Sequence, residues 1–378
     1  MKPTMFRSCM WLALAAAVIF SGCQKEETGQ PTTQPGAYRV GAVVPLSGSG
    51  AALGTLIRRG LEMGMEDVNA RPDGKRIEMV FEDSETKPAK GLTAFRKVVD
   101  VDKTKVVLVG FSAVCNITAP AAEDSDVLMV GMTTSMPGLV ENRKHVIRLF
   151  MTADVAAGTI AQYCAPRFSR LAVLYADDEY GKSTFAAFQK KFVRDGKEIV
   201  FSEAFKPEEK EFRTTVAKML DTKPDAVFLP GYGPGYITLM NKIRERDKQI
   251  AILGDSPLTN PAVYRAAGEA ADGAVVPATP LDAGLADTPA QKAFLEKYRQ
   301  RFNENPSINV TINYDFVQIL ADALAKTDGS PQAIRDYFTS LKGYQGITGP
   351  ITYQPNGESD VTVRPMQIKG GTIVPLKD

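Results

Sequence analysis

Two short runs of hydroxyl-bearing residues stand directly behind two apolar segments. Ser112 opens Ser112-Ala113-Val114-Cys115-Asn116 after Val106-Val107-Leu108-Val109-Gly110, and Thr133-Thr134-Ser135 follows Val127-Leu128-Met129-Val130-Gly131-Met132. Hydroxyls and open loop amides are uncharged donors, and converging from two loops they suit one small anionic group such as a carboxylate. Taken singly, Thr133, Thr134 and Ser135 read as well as turn formers, so the pairing of the runs carries the argument. Catalysis is poorly served. A hydrolase needs a Ser, Asp and His set, and the only histidine, His145, stands beside Arg143 and Lys144 before a strand, where it reads as a surface or turn residue. The sequence shows no nucleophile elbow, phosphate loop or metal-ligand cluster, so no catalytic residue, cofactor or metal is expected.

A strand and helix alternation must position these runs. The stretch from Lys105 to Ser135 reads as a buried strand over 106–109, a polar turn, a helix starting near Pro120 and a second buried strand over 127–130. Parallel strands joined by a helix put both run-outs on one carboxyl edge, where open α/β sheets hold ligands. Earlier come a strand over 38–44, a tight loop from Pro45 to Gly50, a helix over 53–69 with Leu53, Ile57, Leu61, Met65 and Val68 at helical spacing, a strand over 77–81 and a helix over 88–101. Gly48, Gly50 and Gly54 echo a dinucleotide loop. Pro45 stiffens that turn, however, and Glu82 and Asp83 match the ribose-binding acid only loosely. The glycines read instead as letting the backbone approach a small ligand at a helix N-terminus.

After a strand over 146–150 the cycle restarts, with strands over 171–175, 198–201, 226–229 and 250–253 separated by helices over 155–164, 181–194, 212–220 and 235–246. Two sets of βα units joined near Met151 predict an α/β fold of two doubly wound parallel-sheet domains. The rest of the chain carries a strand over 275–277, periodic helices over 289–302 and 313–326, and short antiparallel strands at 351–353, 361–368 and 372–374. The helices bring no strands of their own, which is explained if the chain crosses back to cover the first domain. Several crossings make a hinge over a cleft. The expected division is 37–150 with 281–346 for the first domain and 151–280 with 347–378 for the second.

The N-terminus says where the protein works. Lys2 and Arg7 precede the apolar run from Met10 to Phe20, then come Ser21-Gly22-Cys23 and a polar tract to Gly36. A helix of about eleven residues spans only about 16 Å, too short for a bilayer, so residues 1–22 read as a secretory signal. Ending in a small-residue site and a cysteine, the segment resembles the bacterial lipoprotein signal, which implies that Cys23 carries the lipid and that 23–36 is a flexible tether. Losing Lys2 and Arg7 from a formal net charge of +1 leaves the balance slightly negative, and with no basic patch nucleic acid is not a partner. Once Cys9 leaves with the signal, Cys115 and Cys164 remain, either as one disulfide or as two buried free thiols.

The sequence resembles the type I periplasmic solute-binding proteins, in their leucine/isoleucine/valine-binding branch. The likeness runs through nearly all of 38–370. It is carried by Gly41-Ala42-Val43-Val44-Pro45-Leu46-Ser47-Gly48, the segment from Ala70 to Asp83, Ala119-Pro120, Arg148-Leu149-Phe150, Asp178-Glu179-Tyr180-Gly181, Gly231-Tyr232, Gly254-Asp255-Ser256 and the run from Gly268 to Gly273. The resemblance implies a substrate-binding protein of an ABC transporter that holds a small amino acid, branched-chain or otherwise apolar, between its domains and delivers it to the permease. By position, Ser112 and Cys115 on one loop and Thr133, Thr134 and Ser135 on the other would hold the carboxylate and share in binding the amine. Tyr180 and Tyr232 would close from the second domain, and Asp255 would face the ammonium, although each also reads as an ordinary lid, turn or capping residue. Three departures from the family pattern leave an amide, urea or aromatic carboxylate as the alternative ligand, in a sensing module. Leu53 stands where an aromatic often packs, Cys115 where a hydroxyl often lies, and Asp255 one residue before the usual acid. The expected partners are the small molecule, the permease and the membrane through Cys23, with the chain a monomer outside the cytoplasm.

Overall fold

The computed structural model describes residues 36–376 apart from Asp73 and Asp195, so the signal segment 1–22, Cys23 and nearly all of the tether lie outside the described residues. Strands β1 (Tyr38–Val44), β2 (Ile77–Asp83), β3 (Val106–Gly110), β4 (Leu128–Met132) and β5 (Val146–Arg148) form a parallel sheet in the order β2-β1-β3-β4-β5. Successive residues of its central strands enter opposite cores. Val106 and Leu108 join Val40, Ala42 and Val130 on one face, while Val107 and Val109 join Val43 and Met129 on the other. That two-sided burial explains the unbroken apolar runs, since a strand with helices on both faces has no polar side to show. Helices α1 (Ala51–Asn69), α2 (Pro88–Arg96) and α3 (Ser112–Ser125) connect the strands.

The second sheet repeats the design. After helix α4 (Ala153–Cys164), strands β6 (Arg170–Ala176), β7 (Glu198–Phe205), β8 (Ala226–Leu229), β9 (Ala251–Gly254) and β10 (Val275–Ala278) alternate with helices α5 (Glu179–Phe192), α6 (Arg213–Asp221), α7 (Gly233–Arg246) and α8 (Pro261–Ala267). Helices α9 (Pro289–Phe302), α10 (Ile308–Lys326) and α11 (Pro331–Ser340) and the small sheet of β11 (Tyr344–Gln345), β12 (Pro350–Tyr353) and β13 (Ser359–Asp360) then precede β14 (Arg364–Lys369) and β15 (Thr372–Pro375). Strand β14 adds antiparallel to β10 and β15 antiparallel to β14, giving a seven-stranded order β15-β14-β10-β9-β8-β6-β7. The expected two-domain, parallel-dominated α/β fold is what forms.

The expected return to the first domain is also seen. Ile312, Phe316, Ile319 and Leu320 of α10 and Phe338 of α11 sit in the core with Val40, Ile57 and Leu61. Close approach of α1 and α10 depends on missing side chains: a Cβ on Gly60 would stand 2.2 Å from the Val310 carbonyl oxygen, and one on Gly64 2.8 Å from Val317 Cβ. The last crossing differs from expectation. Ile351, Tyr353, Val361 and Val363 still pack on the first core, and the chain rejoins the second sheet only at β14, not at 347. The turn at 355–357 therefore covers the first sheet, where the Gly357 carbonyl accepts the Arg148 amide at 2.9 Å.

A second difference bears on the site. The helix expected from Pro120 begins at Ser112, so the supposed polar turn is its first turn, and β4 continues through Met132. Phe111, at φ 72°, reverses the chain sharply enough to start α3 directly behind β3. Pro120 lies inside the helix, where it lacks the amide that would bond back to Asn116.

Buried carboxylates anchor the second crossing and the late return of the chain over the first domain. Asp282 accepts Thr279 N at 2.8 Å and Ile308 N at 3.1 Å, and Asp315 accepts Ile347 N at 2.6 Å and Thr348 N at 2.8 Å. Burial pushes both up to about 6 despite these bonds. A folded-state value above the unfolded one of about 3.9 means that the folded protein binds the proton more tightly, so their contribution to stability is lost as pH rises from about 4 to about 6. Denaturant melts across that window should show the wild type losing up to about 2–3 kcal/mol relative to its own Asp315→Asn variant, and parallel curves would contradict the burial argument.

Candidate ligand-binding cleft

The first wall is built by the ends of β3 and β4. Because α3 starts at Ser112, its opening amides have no partner within the helix and give a partly positive N-terminus. Thr134 Oγ1 donates to Ser112 Oγ at 3.2 Å, so the two hydroxyl runs do meet. Ser135 Oγ is buried with no hydrogen-bond partner, while the Ser135 carbonyl is held by Ala153 N at 2.8 Å. Thr133, at φ 50°, turns its hydroxyl to Asn309 Oδ1 at 3.2 Å. Cys115 departs from expectation. Its thiol lies in the hydrophobic core under α3, donates to the Val109 carbonyl at 3.2 Å and is pushed up to about 12 by burial. The helical start explains this: three residues beyond Ser112, the side chain points back against the sheet. Cys115 and Cys164 are both free and buried, in different cores.

The second wall presents two tyrosine–carboxylate pairs. Tyr180 OH donates to Asp255 Oδ2 at 2.8 Å, and Tyr232 OH donates to Asp178 Oδ2 at 2.6 Å. Asp178 is the N-cap of α5 and accepts Gly181 N, which fixes where Tyr180 leaves the helix. Asp255 follows β9 and is 1% exposed, and its second oxygen, Oδ1, has no partner. Burial raises its pKa, against the opposing bonds from Tyr180 and the Ser256 amide. Burial likewise lifts the phenols of Tyr180, Tyr232 and Tyr236, so each remains a neutral donor. An open carboxylate oxygen in a dry site is costly unless a cation meets it.

Between the walls Leu53 and Phe111 from the first domain cluster with Ala176, Tyr180 and Tyr232 from the second. Phe111 and Tyr232 meet edge to face at 5.5 Å, and Tyr180 and Tyr232 at 6.1 Å. A cavity of about 240 Å³ adjoins the cluster, with Gly48, Ser49 and Leu53 on one side and Tyr232, Ile237 and Pro257 on the other. A larger groove of about 870 Å³ along α7 and α8 is open and lined by charges of both signs, including Arg244, Glu245, Lys248 and Asp272, and it contains none of these groups.

Sequence reasoning missed Phe111, Tyr236, Asp178 and Asn309. Phe111 hid as the residue between a strand and a hydroxyl. Tyr236 is fully buried with its hydroxyl unpaired, close enough to Asp255 for the carboxylate to raise its pKa. The Gly233-Pro234-Gly235 run before it was the available signal, since a Cβ on Gly235 would lie 2.8 Å from the Pro207 carbonyl oxygen. His145 sits in the turn before β5 with Nδ1 3.4 Å from Asp126, away from these groups.

Two doubly wound parallel-sheet domains joined by three crossings define the class of the fold. The chain belongs to the periplasmic binding protein family, whose model matches residues 37–372. The Leu/Ile/Val-binding protein BraC3 of Rhizobium johnstonii is 26% identical over 328 residues, covering 84% of this chain and 88% of that protein. In structure the chain is similar to the leucine-binding protein LivK of Thermotoga maritima, with a TM-score of 0.83 at 21% identity over 90% of this chain and 98% of that one. It is also similar to a solute-binding protein of an ABC transporter from Rhodopseudomonas palustris BisB5 in complex with 3,4-dihydroxybenzoic acid, with a TM-score of 0.81 at 21% identity over 90% and 96% of the two chains.

Removing the Tyr180 hydroxyl tests the second wall. Tyr180→Phe leaves Asp255 with neither oxygen paired to a side chain, and ligand-free protein should lose about 1–3 kcal/mol in denaturant unfolding. An unchanged midpoint would mean that water replaces the bond and that the wall is open.

Proposed function

We propose that this chain is the extracytoplasmic substrate-binding protein of an ABC transporter and that it captures a small apolar amino acid, branched-chain by preference. The observation that carries this is the unpaired Asp255 Oδ1, buried on one wall while the hydroxyls of Ser112, Thr134 and Ser135 and the N-terminus of α3 lie on the other. A zwitterion satisfies both at once: its ammonium meets Asp255, and its carboxylate takes the neutral donors. Leu53 and the rings of Phe111, Tyr180 and Tyr232 offer the side chain an apolar surface. The names of the relatives point the same way. We read the domains as closing on the ligand about the three crossings and the monomer as then docking on its permease.

The same four-residue apolar cluster favours a second reading, an aromatic carboxylate, as in the BisB5 complex. Such a ligand brings no ammonium and leaves Asp255 open. Calorimetry on ligand-stripped protein with L-leucine, L-isoleucine, L-valine, benzoate, short amides and urea separates the two. Asp255→Asn should weaken an amino acid by about 1.5–3 kcal/mol and leave benzoate nearly unaffected. Binding of benzoate alone would sink the amino-acid reading and keep that of a solute-binding protein.

We further propose that Cys23 is lipidated and that residues 23–36 tether the domains to the membrane. Mass spectrometry of the mature protein should find the N-terminus at a modified Cys23, and Cys23→Ser should move the protein to the soluble fraction. An unmodified N-terminus beyond Cys23 in the wild type would exclude the anchor.

A further inference from the structure

Arg148 is the largest of the fully buried side chains, and its guanidinium lies beneath the first wall. The sequence offered the hydroxyl loops no neighbouring cation, yet the fold supplies one from the end of β5. Nη2 donates to the Met136 carbonyl at 2.5 Å, one residue beyond Ser135. Nε stands 3.1 Å from Glu358 Oε2 without hydrogen-bond alignment, and Nη1 has no partner. On the other side, Cys115 lies close enough to feel both Arg148 and the Thr134 hydroxyl, and its neutral thiol cannot discharge the guanidinium.

Burying a guanidinium is expensive, and an apolar residue of that volume would pack at lower cost if packing were its only use. Its countercharge is incomplete: Glu358 Oε2, itself buried, stands 3.1 Å away without hydrogen-bond alignment, and burial raises the Glu358 pKa, which weakens it as a counter-ion to the fully buried guanidinium. The unscreened remainder of the field falls on the loop from Thr133 to Met136, where the α3 N-terminus already adds positive potential.

We propose that Arg148 is a positioning and specificity-determining residue of the anion subsite. It holds the Thr133–Met136 loop through the Met136 carbonyl, and its buried charge makes the subsite select a carboxylate over a neutral group without touching the ligand. This rests on the carboxylate reading given under Proposed function.

The test compares L-leucine with L-leucinamide, which keeps the ammonium and replaces the carboxylate with an amide. Calorimetry would be run on ligand-stripped wild type, Arg148→Lys, Arg148→Met and Glu358→Gln. In Arg148→Met the preference for leucine over leucinamide should fall about tenfold, and Arg148→Lys should restore most of it. Glu358→Gln leaves the arginine and removes its countercharge, so the preference should rise. Equal losses for both ligands in Arg148→Met, with the ratio intact, would reduce Arg148 to a packing role and overturn the proposal. If Arg148→Met does not fold, Glu358→Gln decides, because a fixed or falling ratio there overturns the proposal just as well. A wild type that shows no preference between the two ligands overturns the carboxylate reading itself, a different result from a wild-type preference that survives the loss of Arg148.

Discussion

The close contact of α1 with α10 is the constraint on which the rest of the molecule depends. One face of the first sheet is covered only if α10, more than two hundred residues later, lies against α1, and that approach needs Gly60 and Gly64 to carry no Cβ. A chain that must finish its first domain late cannot connect its two domains once. It leaves after β5, returns after β10 and leaves again before β14, so the triple connection is a by-product of burying the first core. Three connections permit rotation about a common axis and oppose shear, which suits a cleft whose two walls must meet in register.

The walls divide the electrostatic task by sign. The first offers dipoles, hydroxyls and helix amides, which stabilise an anion without a contacting charge. The second offers a formal charge, Asp255, held by Tyr180 on one side only. Neither wall is fully satisfied alone, and the leftover polar atoms, Ser135 Oγ on one and Asp255 Oδ1 and Tyr236 OH on the other, are buried. Such atoms cost stability in the ligand-free protein, and any group that pairs with them recovers that cost.

The alternation of apolar runs with helical periods made the two-domain fold legible, because two-sided burial leaves a strand unbroken and apolar over four or five residues. The placement of Tyr180, Tyr232 and Asp255 was legible for a related reason: each follows a strand end, and strand ends share one edge. The residues after Gly110 read in sequence as a turn with Pro120 as the helix start, which would bring Cys115 to the site, whereas the positive φ of Phe111 moves the start back to Ser112 and Cys115 into the core. The glycines after β1 read in sequence as room for a ligand. Gly54 instead admits the Pro45 carbonyl oxygen, which would stand 1.8 Å from a Cβ there, and Gly50 makes room for Thr86 and Phe111. Arg148 and Asn309 reach the site by tertiary packing alone, and no spacing in the sequence announces such a contact.

The first wall is joined to the crossings between the domains. Ala153 N, the first amide past the first crossing, holds the Ser135 carbonyl at 2.8 Å, and Arg148, just before it, holds that of Met136. At the second crossing Asp282 grips both Thr279 and the Ile308 amide at the start of α10, and the next residue, Asn309, receives the Thr133 hydroxyl. Both ends of the Thr133–Met136 loop are therefore hydrogen-bonded to segments at or next to the crossings, through the half-buried Thr133 at one end and buried groups at the other. A loop fixed in this way cannot rearrange without disturbing the crossings, so the shape of the first wall and the geometry between the domains are not independent.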